Sequence, residues 1–373
     1  MQRRENNFDF MRVVLASLVI VSHSAILLDG NGAREPLSRL SGGQMTFGGL
    51  AVDGFFLLSG FLILQSWQST RNVWNYFLKR FLRIYPGFIV AVLLSVFVAG
   101  ALGAADAKVY LRAFDWDYLV FLAKRILTLR VPHTPDTFSH LHYPAVNGAI
   151  WTVRYEFVCY LGLALLGLCG IFRKRFLVVV LAGLALSAYA AQNWFGAGFS
   201  DRDIPIIGVP TNWPRLATYF LVGMCFCLYR DHWRFERTPA LLSLAVLVVS
   251  LFIPHFAWFT FPIFGAYCFF YFAFCPAVPL HNFAKHGDFS YGVFLYGWPV
   301  AQLGIVYLGG GINPIVLMLV TLAGAFGLAF ASWHMVEKPC LNLKQRRKAV
   351  PLDVEPVPPG PDPRLKSESA EIK

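Results

Sequence analysis

The chain has 373 residues, 57% of them hydrophobic and 14% charged, with a formal net charge of +11. A soluble core of this size does not use so much apolar sequence, so the composition excludes an ordinary globular enzyme and points to a polytopic membrane protein. The basic surplus sits in short connections and the tail, so it gives no reason to expect nucleic acid as a partner.

Ten stretches are long enough to cross about 30 Å of hydrocarbon, near 12–28, 47–67, 84–104, 150–172, 176–195, 213–229, 240–256, 258–275, 289–308 and 313–335. Lys and Arg gather at alternate connections: Arg3 and Arg4, then Arg71, Lys79, Arg80 and Arg83, then Arg173, Lys174 and Arg175, then Arg230, Arg234 and Arg237, then Lys285 and the stretch from Lys338 to Lys348. That pattern predicts cytoplasmic termini. The predicted fold is an all-α polytopic bundle of about ten helices, with a transmembrane domain over 1–340 and a tail over 341–373. Proline and charge predict disorder in that tail. The exit of the first span, DGNGAREP, offers no usual cleavage site, so the span is expected to be retained. Cys225 and Cys227 are too closely spaced for a usual zinc pattern, and no metal is expected.

Arg12 and His23 lie in the first span with ten apolar or small residues between them. On a helix the pair returns to within about 20° of one face, roughly 16 Å apart along the axis. Ionisable groups at that depth usually face a cavity, a partner or a substrate path. In the second span, AVDGFFLLSGFLI carries Asp53 near the outer end, with Ser59 and Gly60 two turns deeper. Topology places Asp53 at a depth similar to His23, where a carboxylate fixes an imidazole's tautomer and raises its basicity. A plain His–Asp hydrogen bond between helices is an even alternative. In NYFLKRFLRIYPGF, Arg80 and Arg83 share a helix face suited to phosphates, although most such clusters only anchor a cytoplasmic helix end.

The connection 105–149 is basic although it belongs outside, and WDYLVFLAKRILTL, within the segment near 108–130, reads as an amphipathic helix in the interface. Headgroup contact is its simplest use; an anionic glycan or lipid is the other. In NGAIWTVRYEFVCYL, Glu156 lies about two turns below the outer mouth of span four, so His23, Asp53 and Glu156 are predicted to share one depth. Arg154 is badly placed to pair with Glu156 within that helix. Trp151 and Tyr155 fit an aromatic belt better than a sugar platform. Glu337 and Lys338 are expected to form a terminal ion pair.

These segments resemble the acyltransferase-3 family of integral-membrane O-acyltransferases. The likeness rests on FDFMRVVLASLVIVSHS, GGLAVDGFFLLSGFLI, KRFLRIYP, NGAIWTVRYEFVCYL, FSYGVFLYGWPV and SWHMVEKP, in order from residue 8 to 339. The resemblance implies a ten-helix bundle in a bacterial-type inner membrane. There it would move an acyl group, commonly acetyl, from cytoplasmic acyl-CoA to a hydroxyl of an extracytoplasmic polysaccharide, glycolipid or other carbohydrate. By matched position, His23 looks like the catalytic histidine, Asp53 and Glu156 like acidic site residues, and Arg12, Arg80 and Arg83 like donor-binding residues. The sequence departs at Gly297, Trp333 and His334, where many members carry His, Tyr and Arg, and at Arg154, which leaves the acceptor's identity open.

The residues themselves support such a reaction. Acyl-CoA is a phosphate-bearing head on a long thin arm, and roughly 16 Å between Arg12 and His23 is of the order of that arm. In that reading His23, oriented by Asp53, takes the acceptor's proton as its oxygen attacks the thioester, while Glu156 binds acceptor hydroxyls or assists proton transfer. A covalent acyl-histidine route is equally open. The alternative from another class is a transporter or flippase of a lipid-linked or amphipathic solute, though no internal repeat is seen.

Overall fold

A computed structural model describes residues 6–70, 72–281 and 283–348. Arg3, Arg4, Arg71 and residues 349–373 of the predicted tail lie outside the described residues. The protein is an all-α membrane bundle, and each predicted span is helical over most of its length, although in the seventh the helix stops at Ser250 and residues 251–256 are turn and bend. The helices that matter here are α1 (Phe8–Asp29), α2 (Phe47–Ser69), α3 (Val73–Leu93), α4 (Trp116–Leu127), α5 (Trp151–Leu168), α6 (Arg175–Phe195), α7 (Trp213–Leu228), α8 (Arg237–Ser250), α9 (Ala266–Phe274), α10 (Ser290–Leu308) and α11 (Pro314–Ser332). Among the described residues, seven helices are long and apolar enough to cross a membrane.

Local chemistry sets where helices begin. Thr46 caps α2 by accepting from the Gly49 N–H (2.9 Å), and the buried Glu35 carboxylate accepts from the N–H groups of Ser38 (2.6 Å) and Phe47 (2.7 Å). Asn72 caps α3 by accepting from Trp74 N–H (2.8 Å), so that helix starts well before the predicted residue 84 and carries Lys79, Arg80 and Arg83 in its early turns. Pro86 lies inside α3, past the basic run. A helix over Lys338–Lys348 replaces the start of the predicted tail.

Lipid tails are as apolar as Leu, so helices in a membrane associate by close packing and polar contacts more than by hydrophobicity. The closest approach joins α2 and α7, which run parallel. A Cβ at Gly60 would stand 2.0 Å from the Phe220 carbonyl oxygen, and one at Gly223 would stand 2.0 Å from that of Leu57. Only glycine at both places lets the backbones touch. Helix α1 runs antiparallel to α2, with Phe8 against Phe61 (ring centroids 5.5 Å), Leu15 against Gly54 and Ser22 against Gly48. It runs parallel to α10, with Arg12 near Asp288 and His23 near Trp298. The most apolar windows of α2 and α10 are 61% and 67% buried, against 17% for α6, so α1, α2 and α10 form the centre while α6 faces lipid.

The amphipathic α4 is capped by Asp115, which accepts from Tyr118 N–H (2.8 Å). Its last turn packs on α3, where the Tyr85 hydroxyl donates to the Leu127 carbonyl (2.8 Å). This helix therefore reaches down the flank of the bundle instead of lying wholly in the interface.

Gly60→Val is expected to force α2 and α7 apart at a cost of about 3 kcal/mol, as overpacked cores behave. Heating the purified protein in detergent and following the monodisperse fraction checks this; melting unchanged from wild type would contradict the backbone contact.

Candidate active site

Two ends of α1 carry different chemistry. At the Arg12 end, a cavity of about 110 Å³ lies between α1, α2, α3, α5 and α10, and Arg12, Arg80, Arg83, Ser59, Glu156 and Tyr160 contribute polar lining. Helix periodicity puts Arg80 and Arg83 on one face of α3, and the α1–α3 arrangement brings Arg12 to the same cavity.

Arg12 and Arg83 share a carboxylate that lies outside the predicted site residues. Asp288, just before α10, lies 2.5 Å from Arg83 Nη2 and 3.5 Å from Arg12 Nη1, and its other oxygen accepts from Ser290 Oγ at 2.5 Å. Arg12 also pairs with Asp9 (2.7 Å). Burial opposes the charge on Asp288, yet Arg83 and Arg12 outweigh it and hold the carboxyl well below the usual carboxylate range. Arg80 makes no ion pair within 4 Å among the described residues; its Nη2 donates to Ser66 Oγ (3.2 Å), and the guanidinium lies over the Tyr160 ring at 5.7 Å. Glu337 does not pair with Lys338 as expected; it turns inward and accepts from Ser332 Oγ (3.2 Å).

At the other end, the His23 ring meets Trp298 edge-on with centroids 4.9 Å apart. Trp298 is fixed by donating to the Ala145 carbonyl (2.8 Å). Phe294, one turn below Trp298 on α10, lines the cavity beside Val52 and Phe55, so the cavity's apolar upper walls stop about 6 Å below the level of His23.

The predicted shared depth of His23, Asp53 and Glu156 is not what the structure contains. The α1–α2 register sets Asp53 level with Leu15 and Ala16, about two turns below His23. Asp53 is partnered by Arg215 of α7, with Nε at 2.8 Å from Oδ1, and by the Tyr219 hydroxyl, and it does not orient His23. Glu156 accepts from Ser59 Oγ (2.8 Å) and from the Tyr160 hydroxyl, which puts it at the level of Arg12, on the arginine side of the site. The reason is that α5 starts deep. Residues 143–150 fold inward ahead of it, with Asn147 donating to the Leu295 carbonyl (2.9 Å) and to Ser95 Oγ (3.1 Å). Tyr155 is also not part of an aromatic belt: it is buried, and its hydroxyl accepts from Val209 N–H (2.8 Å) and Asn212 Nδ2 (3.0 Å).

The sequence matches the family described as an acyltransferase domain over residues 5–334. An O-acetyl transferase of Shigella phage Sf6 is 29% identical over 350 residues, covering 90% of this chain and 96% of the phage protein. Nodulation protein 10 of Rhizobium leguminosarum bv. viciae is 27% identical over 364 residues, covering 91% and 94%. Acyltransferase MdmB of Streptomyces mycarofaciens is 26% identical over 367 residues, covering 85% of each chain. No solved structure matches the chain.

Breaking a buried pair strands a charge, so Arg215→Met is expected to destabilise the protein by about 3–5 kcal/mol. The double variant Asp53→Asn with Arg215→Met should recover most of that loss in thermal melts. A double variant as unstable as Arg215→Met alone would contradict the pairing.

Proposed function

The chain belongs to the acyltransferase-3 family and is an O-acyltransferase, and from that premise we propose that it moves an acetyl group from cytoplasmic acetyl-CoA to a hydroxyl of an extracytoplasmic carbohydrate or glycolipid. Similarity to an O-acetyl transferase supports acetyl as the group moved, and family membership argues against the transporter alternative. The observation that carries the proposal is the meeting of Arg12, Arg80 and Arg83 on one cavity whose upper walls lead toward His23.

In this reading the arginine end is cytoplasmic and receives the phosphate-bearing head of the donor. Arg80, without a carboxylate partner among the described residues, is the guanidinium most available to a phosphate, while Arg12 and Arg83 share Asp288. Glu156 stands on the donor side, where its carboxylate accepts hydrogen bonds from the amide N–H groups of the donor's arm. The thioester passes between Val52, Phe55 and Phe294, an apolar passage that keeps water from the reactive carbonyl.

The chemistry takes place at His23. Its imidazole accepts the proton of the acceptor hydroxyl as that oxygen bonds to the thioester carbonyl carbon. The C–S bond then breaks, and the leaving thiolate takes the proton back from the imidazolium. Trp298 holds the ring by its edge contact, the part that the sequence reading had given to Asp53. Asp53 acts at a distance, as the ion-pair partner that fixes α2 to α7.

His23→Ala is expected to lower transfer of labelled acetyl to membrane glycan by about 100-fold or more, with helical content and melting temperature unchanged. Arg80→Ala should raise the KM for acetyl-CoA about tenfold, the loss of one charge-assisted contact, with kcat near wild type. Turnover by His23→Ala within about twofold of wild type would overturn the role of the histidine.

A further inference from the structure

The face of α5 turned away from the cavity carries a cluster that the proposed reaction does not use. Arg154 precedes Glu156 by two residues, so at about 100° per residue the two side chains leave the helix on nearly opposite sides. Arg154 Nη1 lies 2.8 Å from Asp203 Oδ1, and Arg130, just beyond α4, donates to the other oxygen of Asp203. Arg125, in the last turn of α4, feels the charges of Arg130, Asp203 and Arg154, and its guanidinium lies over the Phe121 ring at 5.0 Å. Two guanidiniums thus pair with one carboxylate and a third stands near enough to feel its charge, a surplus of two positive charges.

Two observations set this cluster apart from ordinary headgroup contact. The Nε–H groups of Arg125, Arg130 and Arg154 are each buried with no hydrogen-bond partner among the described residues. Buried donors on a cation are costly to leave unanswered. The cluster also lies low on the flank of the bundle, since the neighbouring Leu127 carbonyl is held by Tyr85, two residues along α3 from Arg83. Unbalanced cations at membrane depth mark a ligand site more often than an anchor. The side chains of Asp203 and Arg130 leave 37% and 23% of their surface uncovered by the protein, so a group from outside the bundle can reach them.

Building on the O-acyltransferase reading, we propose that Arg125, Arg130 and Arg154 recognise an oxyanion on the acceptor, a phosphate or carboxylate borne by the sugar or its lipid carrier. Planar guanidiniums with free N–H edges match both groups. The route to the reaction rises about two to three helical turns: Ser59 with Glu156 and Leu15 with Gly54 set the outer end of α5 between one and two turns below His23, and Arg154 lies about one turn deeper. An acceptor held at the arginines passes its hydroxyl over that end to the imidazole. Asp203 occupies the arginines until the ligand's oxyanion replaces it.

The test is binding to the purified full-length protein, with coenzyme A present at saturation to cover Arg12, Arg80 and Arg83. Glucuronic acid, glucose 1-phosphate and glucose are titrated, and melting temperature is read. At least one charged sugar is expected to raise it and glucose is not; whichever responds identifies the oxyanion. Arg125→Gln breaks no ion pair within 4 Å and should weaken the response about tenfold. Asp203→Asn removes the resident carboxylate and should strengthen the response several-fold, the opposite of what a merely structural ion pair would give. No wild-type response to either charged sugar, an unchanged response in Arg125→Gln, or a weakened one in Asp203→Asn would overturn the proposal. Because the readout is binding, an absence of acetyl transfer with anion binding intact would count against the transferase reading alone.

Discussion

A charge taken below a membrane surface must be answered by another group, and in this bundle the answers come from different helices. Asp288, at the foot of α10, accepts both Arg83 from α3 and Arg12 from α1, so one carboxylate ties three elements at the arginine end. Asp53 does the same for α2 and α7 through Arg215. These ties set the rotation of each helix, and rotation decides which side chains reach the cavity. Without Asp288, two guanidiniums would repel across the space that a donor phosphate is proposed to enter.

Close packing supplies the complementary constraint. The contact of Gly60 with the Phe220 carbonyl and of Gly223 with that of Leu57 brings α2 and α7 nearer than side chains would permit. From that fixed pair, the register of α1 on α2 and of α10 on α1 sets the level of every site residue. The two ends of α1 then separate cleanly: guanidiniums and Glu156 at one, His23 and Trp298 at the other.

What the sequence made legible follows from how far apart the interacting residues lie. The Arg12–His23 spacing and the pairing of Arg80 with Arg83 depend only on helix periodicity, which a single segment carries. The partner of Asp53 could not be read that way, since Arg215 lies 162 residues on and is one arginine in an otherwise apolar segment. Asp288 was legible only as the acid of its own short connection, three residues after Lys285. The depth of Glu156 was misjudged because it was counted from the expected mouth of span four, whereas Asn147 and Trp298 draw residues 143–150 inward and start α5 lower. Ser59 carried no signal in the sequence beyond its place beside Gly60, and its hydroxyl is the donor that fixes Glu156.

The apolar walls above the arginines have a consequence for the membrane itself. A protein that opens a water path between its two ends would short-circuit the ion gradients across the bilayer. The side chains of Val52, Phe55 and Phe294 offer a proton or a metal ion no polar atom, and the solvation cost of an apolar stretch for a bare charge is several kcal/mol or more. An uncharged thioester carbonyl pays no comparable cost. On the proposed donor route the same three side chains would serve as an electrical insulator permeable to a neutral acyl group, which lets chemistry cross where current does not.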